Sequence, residues 1–171
     1  LIYLSIQFDY LPLTPFHLGP TFLIGIVFQR QINIAAMLLA STVIDVRTMY
    51  CFFLSGCQLH GPLHTYFGAV GFVIPIILIV FISKKQLYKL SKILKIKQSY
   101  SIKSIILGAL IGAWSHVFFD SFMHHDITPF WPILENPLYG VIGNQMNYTI
   151  ATISFFIGCG IYFYKFYKSR K

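Results

Sequence analysis

Apolar runs dominate this chain and are interrupted at regular intervals. Residues 65–83, 104–123 and 146–164 are almost continuously hydrophobic; the first and third carry no charge, and the second carries only His116 and Asp120. A hydrocarbon core about 30 Å thick needs about 20 such residues in a helix, so each run predicts a membrane span. Residues 33–56 are equally apolar but include Asp45 and Arg47, which predicts a span whose polar positions face protein rather than lipid. Residues 17–29 amount to roughly 20 Å of helix and predict a short, tilted or half-inserted segment. Pro12, Pro15 and Pro20 mark the N-terminal entry, Pro62 precedes the third segment, and Pro75 inside it predicts a kink.

Between the third and fourth segments, residues 84–103 interleave Lys84, Lys85, Lys89, Lys92, Lys95, Lys97 and Lys103 with Leu87, Leu90, Ile93, Leu94 and Ile96. The spacing is close to the helical period and predicts a basic amphipathic helix on an anionic membrane surface, in preference to a nucleic-acid patch. Composition agrees: 56% of the 171 residues are hydrophobic and 11% charged, against about 25% charged in an average soluble domain. Soluble globular, disordered and collagen-like classes are excluded, as is a disulfide scaffold, since aromatics reach 18% and there are 3 cysteines. The expectation is an all-α polytopic membrane protein, a single integral membrane domain over residues 1–171 with about five helical segments, four of them long.

The net charge of +8 is then read as topology. With the lysine-rich linker in the cytoplasm, alternation of the segments places 12 of the 13 basic residues on that side, including Arg30 and the tail Lys165, Lys168, Arg170 and Lys171. Only Arg47 is left out. The expected location is the plasma (inner) membrane, multi-pass, with an outside N-terminus. No basic, small-residue-terminated signal sequence is recognisable ahead of the first segment. Gly68 and Gly71, and Gly108 and Gly112, have spacings that allow close helix contact.

This topology sends every acidic residue and every histidine to the outer half of the membrane or beyond it: Asp9, His17, Asp45, His60, His64, His116, Asp120, His124, His125, Asp126 and Glu135. His116 and Asp120 are four apart, so one helical face offers an imidazole and a carboxylate, and a further turn brings His124 onto that face. Such donors suit zinc and similar divalent metals. Asp45, with Ser41 a turn away, His64 at the start of the third segment and His17 at the start of the first reach the same level. Taken singly, His17, His60 or His125 reads as an interfacial hydrogen-bonding residue, and Asp45 as a structural group paired with Arg47 or another helix. Four segments each delivering such a residue favour one shared site.

Other readings stay open. Cys57, His60 and His64 form C-x2-H-x3-H, a weak signal for a separate zinc site. Cys51 and Cys159 read as packing residues, and Cys51 with Cys57 is a candidate disulfide. The loop HHDITPFWPILENP, with Phe130 and Trp131, reads as an interfacial belt or a lid over a site. Asn136, Asn144, Gln145 and Asn147 are weak candidates for orienting a phosphate or carbonyl.

TPFHLGP at residues 14–20, ASTVID ending at Asp45, LHGPLHTYFGA at 59–69 and GAWSHVFFDSFMHHDITPFWP at 112–132 resemble the inner-membrane-associated metal-dependent hydrolases of the LexA-regulated type. The same order of donors is similar to zinc-dependent phospholipase C and the single-strand-specific zinc nucleases. The resemblance implies one or two divalent ions, zinc first: His64, His116 and Asp45 on one, Asp120 bridging, and His17 helping to hold a second. Asp45 and Asp120 become the catalytic carboxylates, with His60, His124, His125 and Glu135 as additional candidates. The implied activity is a membrane-bound phosphoesterase acting on a lipid or lipid-linked substrate at the outer face, with nucleic acid disfavoured by membrane embedding. The rival is a small transporter or metal-handling protein using the His/Asp cluster as an ion path, against which the inner halves of the spans are nearly free of polar groups. A member that keeps the metal only for stability is a third reading.

Overall fold

The computed structural model describes residues 14–54 and 59–169. Asp9, Cys57, Arg170 and Lys171 lie outside them. Among the described residues the fold is all-α. After a 3-10 turn at Thr14–His17 come α1 (Leu18–Val27), α2 (Ile34–Val43) and α3 (Asp45–Leu54). A 3-10 turn at Pro62–His64 leads into α4 (Tyr66–Ala69), followed by α5 (Val73–Ile82), α6 (Lys84–Ile93), α7 (Ile102–Met123) and α8 (Asn144–Lys168).

Three helical stretches are long and apolar enough to cross a membrane: Ile34–Cys51, Ile102–Met123 and Asn144–Lys168. Tyr66–Ile82 adds about 25 Å of apolar helix and then bends by 73° into α6, a fourth span if the pair is counted as one. Ile74, Leu78, Ile82, Phe156 and Phe163 are exposed on these helices, the distribution expected where the solvent is lipid. α1 is too short to cross, as its sequence predicted.

The bundle is organised around α7 packed on α2. At Gly108 a Cβ would run into the Asn33 carbonyl and at Gly112 into that of Met37, so the two backbones touch where any side chain would wedge them apart. Ala36, Ala40, Ile44, Ala69, Val73, Ile76, Val80, Ala109, Ala113 and Val117 fill the space between α2, α5 and α7. α8 packs against α1, with the Ala151 carbonyl lying against Gly19. Gly71, by contrast, meets nothing within 4 Å and has no part in close packing.

Two expectations are revised. The proline effect falls one turn before Pro75, where the helix tightens into 3-10 over Val70–Phe72: Pro75 has no N–H for the Gly71 carbonyl. The basic helix also stops at Ile93 rather than running through the linker. Lys95 adopts φ 53°, with Ile96 N donating to Ser91 O and Lys95 N to Lys92 O, a Schellman stop with lysine where glycine is usual. The released chain then caps α2. Gln98 Oε1 accepts from Ile34 N and Ala35 N, and the Asn33 side chain accepts from Ala36 N while donating to Ser99 O. Three N–H groups that a helix start leaves unpaired are thereby satisfied.

Candidate metal centre

Asp45 opens α3 at the point where α2 ends, so one long apolar stretch carries a carboxylate into the bundle. His116 and Asp120 stand one turn apart on α7, with small residues below them holding that helix against α2. His64 closes the Pro62–His64 turn, and His17 closes the turn before α1. Arg47, the one basic residue left out by the topology, donates to the Leu59 carbonyl and packs on Gly61, which holds the His60 to His64 segment over the bundle.

Asp45, His64, His116 and Asp120 each offer a ligand atom within 4.8 Å of the others, and all four are buried. His116 Nε2 lies 3.1 Å from Asp45 Oδ1 and 3.0 Å from Asp120 Oδ2, and His64 Nε2 lies 3.6 Å from each of the same oxygens. Bonds of 2.0–2.1 Å in tetrahedral geometry separate ligand atoms by about 3.3 Å, the middle of this range. His17 Nε2 sits 3.0 Å from the other Asp120 oxygen, and its ring lies 4.3 Å from that of His116.

The directions of these atoms matter more than their closeness. Both oxygens of Asp45 and Asp120, both ring nitrogens of His64 and His116, and Nε2 of His17, His60 and His124 are buried without a hydrogen-bond partner. Outside this cluster only Ser41 Oγ and Asn147 Oδ1 share that condition among the described residues. Native proteins pair nearly all buried polar atoms, so so many unpaired donors and acceptors converging in one place require an explanation. Lone pairs meeting head-on, at ligand-to-ligand spacing but without hydrogen-bond angles, are what a cation binds. These residues could hold a metal ion.

A second group adjoins the first. His60, His124 and Asp126 also bring ligand atoms within 4.8 Å of one another, and the His60 ring stacks at 4.2 Å on His124 and lies 4.9 Å from His64. His60 Nδ1 donates to Asp126 at 2.9 Å. This fixes the tautomer and leaves Nε2 as a lone pair facing inward, the carboxylate–histidine arrangement that orients a metal ligand. Burial pushes the pKa of His124 down to about 4, and burial likewise holds His64 below the ordinary imidazole range despite the pull of Asp45. Burial would raise Asp126, but the hydrogen bond from His60 outweighs it and holds the carboxyl below its usual value.

The structure thus brings together His17, Asp45, His64, His116 and Asp120, with His60 and His124 beside them. His17 touches Asp120 rather than the second group. His125 and Glu135 are exposed, and neither joins a group among the described residues. The physical reason for His125 is the end of α7 at Met123: His124 leaves the helix at φ −117°, ψ 121° and residues 125–126 form a turn, so the helical period no longer sets side-chain direction. His124 and Asp126 turn inward together, while His125 faces out toward Tyr139. The same change of backbone takes His124 off the His116/Asp120 face and onto His60. Helical counting had passed over Asp126 for this reason.

Of the C-x2-H-x3-H spacing, His60 and His64 fall in different groups, and Cys57 lies outside the described residues. Cys51 is disulfide-bonded and Cys159 is free. Asn136 donates to the carbonyls of Ser121 and His124, and Asn147 to that of Phe119; both hold the end of α7. Beside His60 and Asp126 opens a cavity of about 580 Å³, walled by Pro62, Phe67, Trp131 and Leu134. No protein-family model, curated protein or solved structure matches the chain.

Proposed function

We propose that the protein is a membrane-bound, metal-dependent phosphoesterase acting on a lipid or lipid-linked substrate. The observation that carries this reading is the convergence of buried, unpaired histidine nitrogens and carboxylate oxygens from four segments at ligand spacing. Four imidazole and carboxylate donors suit zinc, whose coordination can expand to take a further ligand, and the adjoining His60, His124 and Asp126 would give place for a second ion. A divalent ion so held lowers the pKa of a bound water toward about 7 and polarises a phosphoryl oxygen.

The chain's own groups supply the rest. Asp120 faces His116 and His64 with one oxygen and His17 with the other, which ties His17 to the first group. Asp45 turns one oxygen toward His116 and His64, and its second is free to accept a proton from the attacking water. Hydrolysis joins that water's oxygen to phosphorus, breaks the bond to the leaving alcohol and returns the proton to the alkoxide. The apolar-walled cavity beside His60 accommodates the non-reacting part of a lipid. The orientation is that of the lysine distribution, with the metal centre toward the outer face and the lysine-rich helix and C-terminus in the cytoplasm.

The test is hydrolysis of bis-p-nitrophenyl phosphate and of phospholipid in mixed micelles by zinc-loaded protein, beside the His116→Ala/Asp120→Ala variant. The proposal expects metal-dependent turnover that the variant lacks. Metal uptake without turnover, together with zinc flux into proteoliposomes, would replace it with the ion-path reading.

A further inference from the structure

The C-terminal end of α1 lies about 15 Å along the helix from His17, and there a second, open cavity of about 500 Å³ lies between chain segments. Three separate parts of the chain bring five cations to its wall: Arg30 from the α1–α2 turn, Lys95 and Lys97 from the segment after α6, and Lys165 and Lys168 from the last turn of α8. Among the described residues no carboxylate lines it.

A simpler function explains part of this set. Lys165 Nζ donates to Ile26 O at 2.6 Å and Lys95 Nζ approaches Ser169 O at 3.5 Å, so each caps the carbonyl end of a helix. Arg30, Lys97 and Lys168 have no such bond among those seen in the described residues. The frame around them is fixed, because Lys97 N donates to the Gln29 side chain at 2.8 Å and thereby ties the segment after α6 to the α1–α2 turn. Five like charges held around one space repel one another, and an anion among them relieves the repulsion.

The position of the cavity narrows the anion. The segment that follows α6 lines it through Lys95 and Lys97, and α6 itself, with Leu94 just beyond, exposes Leu90 and Ile93 among Lys84, Lys85, Lys89 and Lys92, the pattern of a helix lying in a membrane interface. Phosphates of lipid headgroups sit at that depth, and an arginine among lysines is suited to phosphate. We propose that this cavity binds a phosphate group, supplied by an anionic phospholipid headgroup. The site is separate from the metal centre and stands or falls independently of the phosphoesterase reading.

The experiment titrates the full chain in detergent with phosphatidylglycerol, with phosphatidylcholine and with inorganic phosphate alone. Lipid retention is read by native mass spectrometry and phosphate binding by thermal shift. Wild type is compared with Arg30→Gln/Lys97→Gln/Lys168→Gln and with Lys84→Gln/Lys85→Gln, which changes α6 outside the cavity. Phosphatidylglycerol should be retained over phosphatidylcholine, and the cavity variant should weaken it roughly 100-fold, about tenfold or less per cation removed. The α6 variant should shift it by no more than about threefold, within the range of a surface charge change. Thermal stabilisation by phosphate, with no preference for the anionic lipid, would keep the site and move its ligand to the soluble phase. Equal binding by wild type and the cavity variant, at unchanged helix content by circular dichroism, would overturn the proposal. So would an equal loss in the α6 variant.

Discussion

The two ends of this bundle handle charge in opposite ways. At the candidate metal centre, histidines and carboxylates are taken out of solvent and left with buried atoms that have no hydrogen-bond partner. At the basic end, lysines reach helix carbonyls or line an open cavity. A cation can remain half-solvated on a flexible stem at low cost, whereas a buried carboxylate without a counter-charge carries a desolvation cost of several kcal/mol. The basic end therefore tolerates its like charges at modest cost even before an anion relieves them, whereas the buried end calls for a cation.

The strongest test of that contrast is chelation. A metal present at about a thousand times its Kd adds about 4 kcal/mol, roughly 10 °C in melting temperature for a chain of this size. Thermal unfolding before and after a chelator, with zinc restored, should show such a reversible shift. Gly112→Leu should come next, since it pushes α7 off the Met37 backbone and moves His116 and Asp120 relative to Asp45. The expected loss is about 1–3 kcal/mol with a parallel fall in metal affinity, both measurable by thermal titration. Asn33→Ala at the basic end removes the α2 cap and its tie to Ser99. Denaturant unfolding should show about 1 kcal/mol lost with metal content unchanged. The smallest effect on stability concerns pH. Asp126 has a folded pKa below its ordinary value, so its contribution is complete above about pH 4 and is lost as pH falls through the folded value. Asp126→Asn should flatten the acid limb of the stability curve, and it should weaken metal binding about 10- to 100-fold by freeing the His60 ring.

The helical segments and the meeting of His17, Asp45, His64, His116 and Asp120 were legible because hydropathy and the i, i+4 rule act locally. Glu135 and His125 misled because proximity in sequence to ligands says nothing about side-chain direction once a helix has ended. Asp126 and the His60 bond were hidden for the same reason, depending on an extended residue at His124 that no periodicity announces. The linker beyond Ile93 continued a helical pattern but folded otherwise, because the start of α2 recruits Gln98 and Ser99 from 63 to 66 residues away. The Arg47 contact with the Leu59 carbonyl was likewise a tertiary fact.

The central claim is that the buried His/Asp cluster is a metal site, and metal content per chain tests it most directly. Elemental mass spectrometry on detergent-purified protein, wild type beside His116→Ala/Asp120→Ala, should find one or two equivalents of a divalent metal in the first and a small fraction of that in the second. A folded wild type that holds no metal after incubation with zinc or manganese would contradict it.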